Sequence, residues 1–331
     1  MSENKRSILI TGANGFVGAR LCRKFLENGF HVVAGVRQTA DLSELDGLEV
    51  EYRYGDVTHS ETLTDMVAGV DYLIHNAGIV KAKKPERFFA VNEIGTKNLF
   101  EAVLVANPEL KKAIYISSQA AAGPSLDGKP VTEADAPHPV TTYGKSKLKG
   151  EEAALSFASK INLLSIRPPG IYGPGDKEIF SFFQTVHNKI KPYIGNINRK
   201  LQLVHVDDLC EGIYQALMAE TKSGEVYFIA ENRAYTMKEL IEILQKAIGV
   251  KGFPLYLPAP LFKAIALVSG ILFKIVGATP MLTLEKAGEL LASWELSTDK
   301  AKNDFGFVSS ISFDRGAAQT YKWYREKGWL K

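Results

Sequence analysis

Residues Ser7–Gly18, SILITGANGFVG, decide the fold. Ser7 to Thr11 is a short apolar, β-branched run, long enough for one buried strand. Three glycines follow, Gly12, Gly15 and Gly18, and then a helical pattern from Phe16 to Glu27. Gly12 lets the chain turn sharply off the strand. Gly15 removes a side chain where backbone must approach a pyrophosphate, and Gly18 lets the new helix sit close to the sheet. The helix start offers unpaired N–H groups and a positive dipole end to phosphates. Gly12, Asn14, Gly15, Phe16, Val17 and Gly18 are therefore candidate cofactor-binding residues. A glycine triplet alone says little, but the strand before it and the amphipathic helix after it make it informative.

The spacing is G-x-x-G-x-x-G, one residue longer than the common dinucleotide fingerprint. In this, TGANGFVG resembles the short-chain dehydrogenase/reductase superfamily. Downstream, Phe30–Val36 reads as a second buried strand. A carboxylate at its end would bind ribose hydroxyls and repel a 2′-phosphate. The chain has Arg37-Gln38 there, and Arg37 can offer a planar fork of donors to a phosphate, so NADP(H) is favoured over NAD(H). Leu48–Arg53 alternates like a third strand and leads into Gly55-Asp56-Val57. The resemblance places Asp56 at the adenine amino group and Val57 on the ring. Asp56 or Thr58 could equally cap the helical stretch Ser60–Val67. Val70–Ile74 is the fourth strand, ending in His75-Asn76-Ala77-Gly78. Small residues there let a cofactor lie close to the backbone, which makes Asn76, Ala77 and Gly78 candidates and His75 a structural histidine.

Bulk properties narrow the classes. A chain of 331 residues can bury a large core, and 46% hydrophobic with 23% charged residues is ordinary for a soluble globular protein. A net charge of +3 and the absence of a basic block interleaved with aromatics argue against nucleic acid. Cys22 and Cys210 sit in apolar helical contexts and read as buried thiols; no metal-ligand spacing exists. The segment before the first strand has no apolar leader core, so a cytoplasmic protein is expected.

The chemistry lies further on. Ala113–Ile116 is strand five, tipped by Ser117-Ser118, and Tyr143 and Lys147 follow about 25 residues later. Tyr and Lys four apart share a helix face. A free phenol, with its pKa near 10, is a poor acid or base at neutral pH. A neighbouring ammonium favours the phenolate and brings it toward the working range. Tyr143 is the candidate acid/base, Lys147 its electrostatic partner and ribose anchor, and Ser118 the hydroxyl that polarises the substrate oxygen. In the extended family the resemblance points to, the catalytic hydroxyl lies five residues before a glycine. Ser118 stands so before Gly123, which favours it over Ser117. Asn92, inside the helical stretch Phe89–Val103, is given by the same resemblance a role in supporting active-site backbone. The alternative is a plain surface Asn.

After the sixth strand, Asn162–Arg167, the run Arg167-Pro168-Pro169-Gly170-Ile171-Tyr172-Gly173-Pro174-Gly175-Asp176 resembles a signature of extended short-chain dehydrogenases. It implies that Pro168 and Ile171 pass beside the nicotinamide. Leu201–Leu209 resembles the family's return into the nucleotide domain, and Val226–Ala230 reads as the last core strand. Pro258–Thr279 is largely apolar, interrupted by Lys263 and Lys274. It is expected to cap an apolar substrate pocket and could touch a membrane surface. This block and the aromatic C-terminus resemble the 3β-hydroxysteroid dehydrogenase/dihydroflavonol reductase-like branch of the NAD-dependent epimerase/dehydratase family.

The fold expected is α/β, a Rossmann-type doubly wound parallel sheet with a smaller, mostly helical C-terminal lobe. The nucleotide domain would cover residues 1–167 and return at about 201–231; residues 168–200 and 232–331 would form the substrate lobe. The function expected is NADP(H)-dependent interconversion of a ketone and a secondary alcohol on an apolar sterol-, lipid- or polyketide-like substrate. A nucleotide-sugar epimerase or dehydratase is the alternative, with Lys189, Lys191, Arg199 and Lys200 available for a diphosphate. A non-catalytic NADP(H)-binding sensor is a third reading. Resemblance also implies a homodimer through the helices carrying Asn92 and Tyr143.

Overall fold

The computed structural model describes residues 5–275 and 282–331. Strand β1, Ser7–Thr11, lies in the interior of its large sheet. It pairs in parallel with β2, His31–Val36, on one side and β4, Tyr72–His75, on the other. Outside β2 lies β3, Glu51–Tyr54; outside β4 come β5, Lys112–Ile116, β6, Leu163–Arg167, and the edge strand Val226–Phe228. All seven strands are parallel, and their order reverses between β1 and β4. That reversal leaves a crevice at the carboxyl ends of β1 and β4, where open α/β sheets bind ligands.

Helices cover both faces, so β5 and β6 are buried along their whole length, including Lys112, Ser165 and Arg167 among their apolar residues. One core packs helix α1, Phe16–Glu27, through Leu21, Cys22 and Phe25 against Ile8, Ile10 and Ile74. The opposite core joins Leu9, Val33 and Leu73 to Leu99 and Phe100. Edge strand β3 starts later than its alternation suggests. Leu48 and Val50 pack against the first core instead, and pairing begins at Glu51. The helical stretch at 60–67 splits into a single turn, Ser60–Thr62, and a short helix, Thr64–Val67.

The C-terminal lobe has its own core. The helix Met237–Ile248 is held by a reciprocal cap between Thr236 and Glu239 and stopped by Gly249 in the left-handed region. Its Leu240 and Leu244 pack with Phe183, Phe313 and Tyr324. Further along, Ala301 and Phe307 join the first core beneath the large sheet. The apolar block at 258–279 begins as the helix Ala259–Ile275; residues 276–279 and the Lys274 side chain lie outside the described residues. Among the described residues, no helix is long and apolar enough to cross a membrane.

Candidate active site

The glycine turn is set by close approaches. Gly12 has φ +65°, and its N–H donates to the Gly35 carbonyl at 3.0 Å. Gly18 does something other than expected. A Cβ there would lie 2.1 Å from the Gly12 carbonyl oxygen and 2.8 Å from Ala13 Cα. It lets the start of α1 settle on the turn, while the helix packs on the sheet further along through Leu21, Cys22 and Phe25. Gly15 is different again, since a Cβ there would meet nothing nearer than 3.4 Å. The protein's own packing leaves that side open, and the α1 N-terminus carries no side-chain cap. Open space beside uncapped N–H groups fits the pyrophosphate of a dinucleotide. The Asn14 side chain is already engaged, donating to the Asp41 carbonyl at 3.1 Å. Phe16 lies against Gly175 of the loop after β6.

The end of β4 is bolted to this turn by His75. Its Nδ1 lies 2.8 Å from Thr11 Oγ1 and its Nε2 3.0 Å from Thr96 Oγ1. Thr96 gives its own proton to the Asn92 carbonyl, so Nε2–H is the donor toward Thr96 and Nδ1 accepts from Thr11. The Thr11 oxygen in turn accepts the Ala77 N–H at 3.1 Å. Burial, with the Lys147 charge adding to it, pushes His75 down to about 3, so the ring is neutral. Asn76 reaches the Gly12 carbonyl at 3.4 Å.

Asn92 is buried, not a surface residue. The expected single helix is a run from Pro85 to Ala106 interrupted by one wide turn, Ala90–Ile94, in which Gly95 N–H reaches back five residues to the Ala90 carbonyl. Such π-turns often mark functional sites. This one points Asn92 inward. Its Oδ1 accepts from Ile79 N–H at 2.9 Å, and its Nδ2 donates to the Ile79 carbonyl at 3.1 Å and to Ser146 Oγ at 3.0 Å. The loop after Gly78 is thereby clamped to the helix Thr142–Leu155.

That helix carries Tyr143 and Lys147. Lys147 Nζ is buried, donates to the Ile116 carbonyl at 2.6 Å, and sits 4.4 Å over the Tyr115 ring. A Cβ on Gly78 would come within 3.8 Å of it, so the ammonium faces the β4 loop. Burial draws Lys147 down to about 7, against the pull of Glu151. Tyr143 is half-buried beside Phe88. Burial raises its phenol to about 12, and the adjacent Ser118 hydroxyl works against that rise. The protein alone therefore holds the phenol protonated, where the sequence argument looked for a lowered value. Of the two serines, Ser118 is the one at the phenol. Its oxygen also caps the short helix Gln119–Ala122, accepting from Ala120 N–H at 3.1 Å. Ser117 is buried and pairs through its backbone with Ile166.

Two supports escaped the sequence reading. Glu151, one helical turn beyond Lys147, forms a buried ion pair with Arg167, with Nε to Oε2 at 3.0 Å, and also accepts from Ser165. The pair ties the Tyr143 helix to the Arg167-Pro168 strand end. Its spacing from Lys147 was the available signal. Gly144 and Gly150 are the second support. A Cβ on Gly144 would lie 2.3 Å from the Ala120 carbonyl oxygen, and one on Gly150 2.0 Å from that of Asn92.

The remaining candidates rim the crevice. Arg37 is exposed past the end of β2, and among the described residues its guanidinium has no partner. It is one of the charges holding Asp56 low. Asp56 does not cap the helix; its carboxylate closes a local turn on Thr58 N–H and Oγ1 at 2.9 and 2.7 Å. Val57 is buried against Gly95. The Pro168 carbonyl accepts from Gln119 N–H at 2.8 Å, next to Ser118, and Ile171 lies in the strand Gly170–Tyr172.

The family model described as NAD dependent epimerase/dehydratase matches residues 8–230. A ceramide reductase of Caulobacter vibrioides is 32% identical, covering 100% of this chain and 98% of its own. A 3-beta-hydroxysteroid dehydrogenase of Mycolicibacterium neoaurum is 28% identical over 96% of this chain and 91% of its own. The crystal structure of gox2253 superposes with a TM-score of 0.84 at 29% identity, covering 99% of this chain and 100% of that one. A match across all seven sheet strands, with full-length relatives on either side of 30% identity, settles the family. The chain belongs to the NAD-dependent epimerase/dehydratase family, nicotinamide-dependent enzymes built on a Rossmann sheet.

Proposed function

We propose that this enzyme interconverts a ketone and a secondary alcohol on an apolar sterol-, lipid- or polyketide-like substrate, using NADP(H). The observation that carries the reading is geometric: Tyr143 and Lys147 project from one helix, with Ser118 beside the phenol and the Lys147 ammonium held on the Ile116 carbonyl at 2.6 Å. A neutral phenol is the form that reduction needs, because the new alcohol oxygen must take a proton as its carbon takes a hydride. When bound, the reduced cofactor supplies that hydride. Ser118, its oxygen turned to Ala120 N–H, keeps its proton free to donate to the substrate oxygen. Tyr143 then gives up its proton to the same oxygen. Lys147 spends one N–H on Ile116 and has others for the ribose and for the phenolate left behind. The glycine turn would hold the pyrophosphate, Asp56 and Val57 the adenine, Asn76 to Gly78 the backbone side of the cofactor, and Pro168 and Ile171 the nicotinamide. Arg37, unpartnered among the described residues and with no carboxylate at its strand end, suits a 2′-phosphate.

The apolar substrate is supported by relatives named for ceramide and hydroxysteroid chemistry. It is also supported by the cations that a nucleotide sugar would need. Arg199 is buried and spends its guanidinium on the Ile194 and Asn196 carbonyls, and Lys200 pairs with Glu295 at 2.8 Å. Lys189 and Lys191 lie at an outer ribbon.

Titration with NADPH and NADH, for the wild type and Arg37→Asp, tests the cofactor. Tighter NADPH binding that the variant turns toward NADH is expected. A wild type that prefers NADH would reduce Arg37 to a surface charge. A parallel screen of long-chain ketones and nucleotide-sugar intermediates tests the substrate; turnover confined to the sugars would overturn it.

A further inference from the structure

Two stretches of this chain contain no acidic residue. Between Glu178 and Asp207 there is none, and between Glu242 and Glu285 there is none while lysines stand at 246, 251, 263 and 274. With 37 Asp and Glu in 331 residues, the longer stretch would ordinarily hold about five. The stretches are far apart in sequence, yet the fold pairs them. Ile190–Ile194 and Phe253–Leu257 form a parallel two-stranded ribbon of their own, with Phe253 opposite Ile190 and Tyr256 opposite Tyr193.

The ribbon is apolar and open to solvent. Phe253 is 80% exposed, Tyr256 65% and Leu255 55%. Phe253 and Leu255 share one face of the strand and Tyr256 lies on the other, where its neighbour Tyr193 is buried, so the Phe253–Leu255 face is the open one. The helix Ala259–Ile275 continues the surface. It is anchored by Phe262 and Ala266, which pack on Ala287. Leu261, Ile265, Leu267 and Val268 are exposed. Lys189, Lys191, Lys251 and Lys263 rim the patch, and among the described residues none has a carboxylate within ion-pair distance. Soluble monomers rarely show so large an apolar surface without an occupant.

The occupant must be apolar and must carry negative charge. A second copy packed through the same patch would bring lysines mainly against lysines, the carboxylate nearest the ribbon, Glu242, being already paired with Lys238 at 4.0 Å. A membrane span is too long for the described helices. We infer that the ribbon and the outer face of the Ala259–Ile275 helix dock onto the surface of an anionic lipid bilayer. The apolar side chains enter the headgroup boundary and the four lysines meet the lipid charge. The surface lies outside the Ser118–Tyr143–Lys147 site, and the inference stands whichever ketone the enzyme takes.

Vesicle flotation of the full chain tests it, with phosphatidylcholine vesicles that do or do not contain phosphatidylglycerol. Binding to the anionic vesicles that weakens with added salt is expected. Phe253→Ser with Leu255→Ser should weaken it at least about tenfold, and Lys251→Glu should do so by itself to a lesser degree. Unchanged thermal unfolding shows that the variants fold, and Lys251→Glu, on an exposed loop, carries the test if the double variant does not. A wild type that stays with the solvent fraction, or floats equally on both vesicle types, overturns the inference. So does a dimer that Lys251→Glu or the double variant converts to monomer while vesicle binding stays at the wild-type level.

Discussion

The crevice end of the large sheet and the outer face of the C-terminal lobe are built on opposite terms. At the crevice, distances are fixed by missing side chains. Gly18, Gly144 and Gly150 each let one backbone lie where a single Cβ would collide with a carbonyl oxygen. A chain of hydrogen bonds runs there from Thr11 through His75 and Thr96 to Asn92. On the outer ribbon, large apolar side chains stand in solvent and touch little. Positioning for chemistry asks for the first arrangement, because reacting atoms must be held to fractions of an ångström. The second makes sense only for a surface that meets something else.

The sharpest way to break this contrast is at the crevice. Tyr143→Phe is expected to lower the reduction rate by about 10²- to 10⁴-fold, with dinucleotide binding retained in a fluorescence titration. Loss of binding along with activity would make Tyr143 a packing residue. The same phenol sets the pH behaviour. With its pKa raised to about 12, the phenol stays protonated through neutral pH, so a fall in reduction near pH 7 would report loss of the Lys147 charge, drawn down to about 7, and only a fall in strong alkali the phenol itself. Alcohol oxidation needs the phenolate and should climb with pH over the alkaline range. Parallel rate profiles in the two directions would contradict the assignment.

Next in size is the buried ion pair. Glu151→Ala leaves Arg167 charged and buried without its partner, which should cost about 3–5 kcal/mol in denaturant unfolding. A cost below about 1 kcal/mol would mean the strand end holds itself without the helix. Smaller still is the difference between two glycines. Gly18→Ala should destabilise the chain by about 1–3 kcal/mol, since the obstacle is backbone that cannot swing aside. Gly15→Ala should leave stability within about 0.5 kcal/mol and weaken dinucleotide binding instead. Equal effects at both sites would erase the distinction between packing glycine and ligand glycine. Least of all, Leu255→Ser on the ribbon should change stability by less than about 0.5 kcal/mol. A larger loss would show that the ribbon serves the fold and not an outside surface.

How much could be read beforehand follows from the range of each interaction. The glycine turn, the serine-tipped fifth strand and the Tyr143–Lys147 spacing are short patterns with local causes, and the strands of the sheet fall close to where they were read. What escaped reading depends on partners far along the chain. The need for Glu151 rests on Arg167, and the partners of Asn92, whose supporting role the resemblance implied, are Ile79 and Ser146. The return of Ala301 and Phe307 to the first core has no local signature, because a short amphipathic helix looks the same whichever face receives it. The lowered phenol pKa was argued from the lysine alone. It did not weigh the burial that the surrounding elements impose on both groups.

The wide turn at Ala90–Ile94 has a consequence that is one of phase. Each residue advances an α-helix by about 100°, so one residue too many rotates everything after it by that angle relative to what came before. The Pro85–Phe89 segment, which brings Phe88 to Tyr143, and the Gly95–Ala106 segment, which buries Leu99 and Phe100 in the second core, are thus two faces of one rod set out of step. Removing a single residue at Val91 would bring them back into step. It would leave a more regular helix that could present Phe88 to the site or Leu99 to the core, but not both.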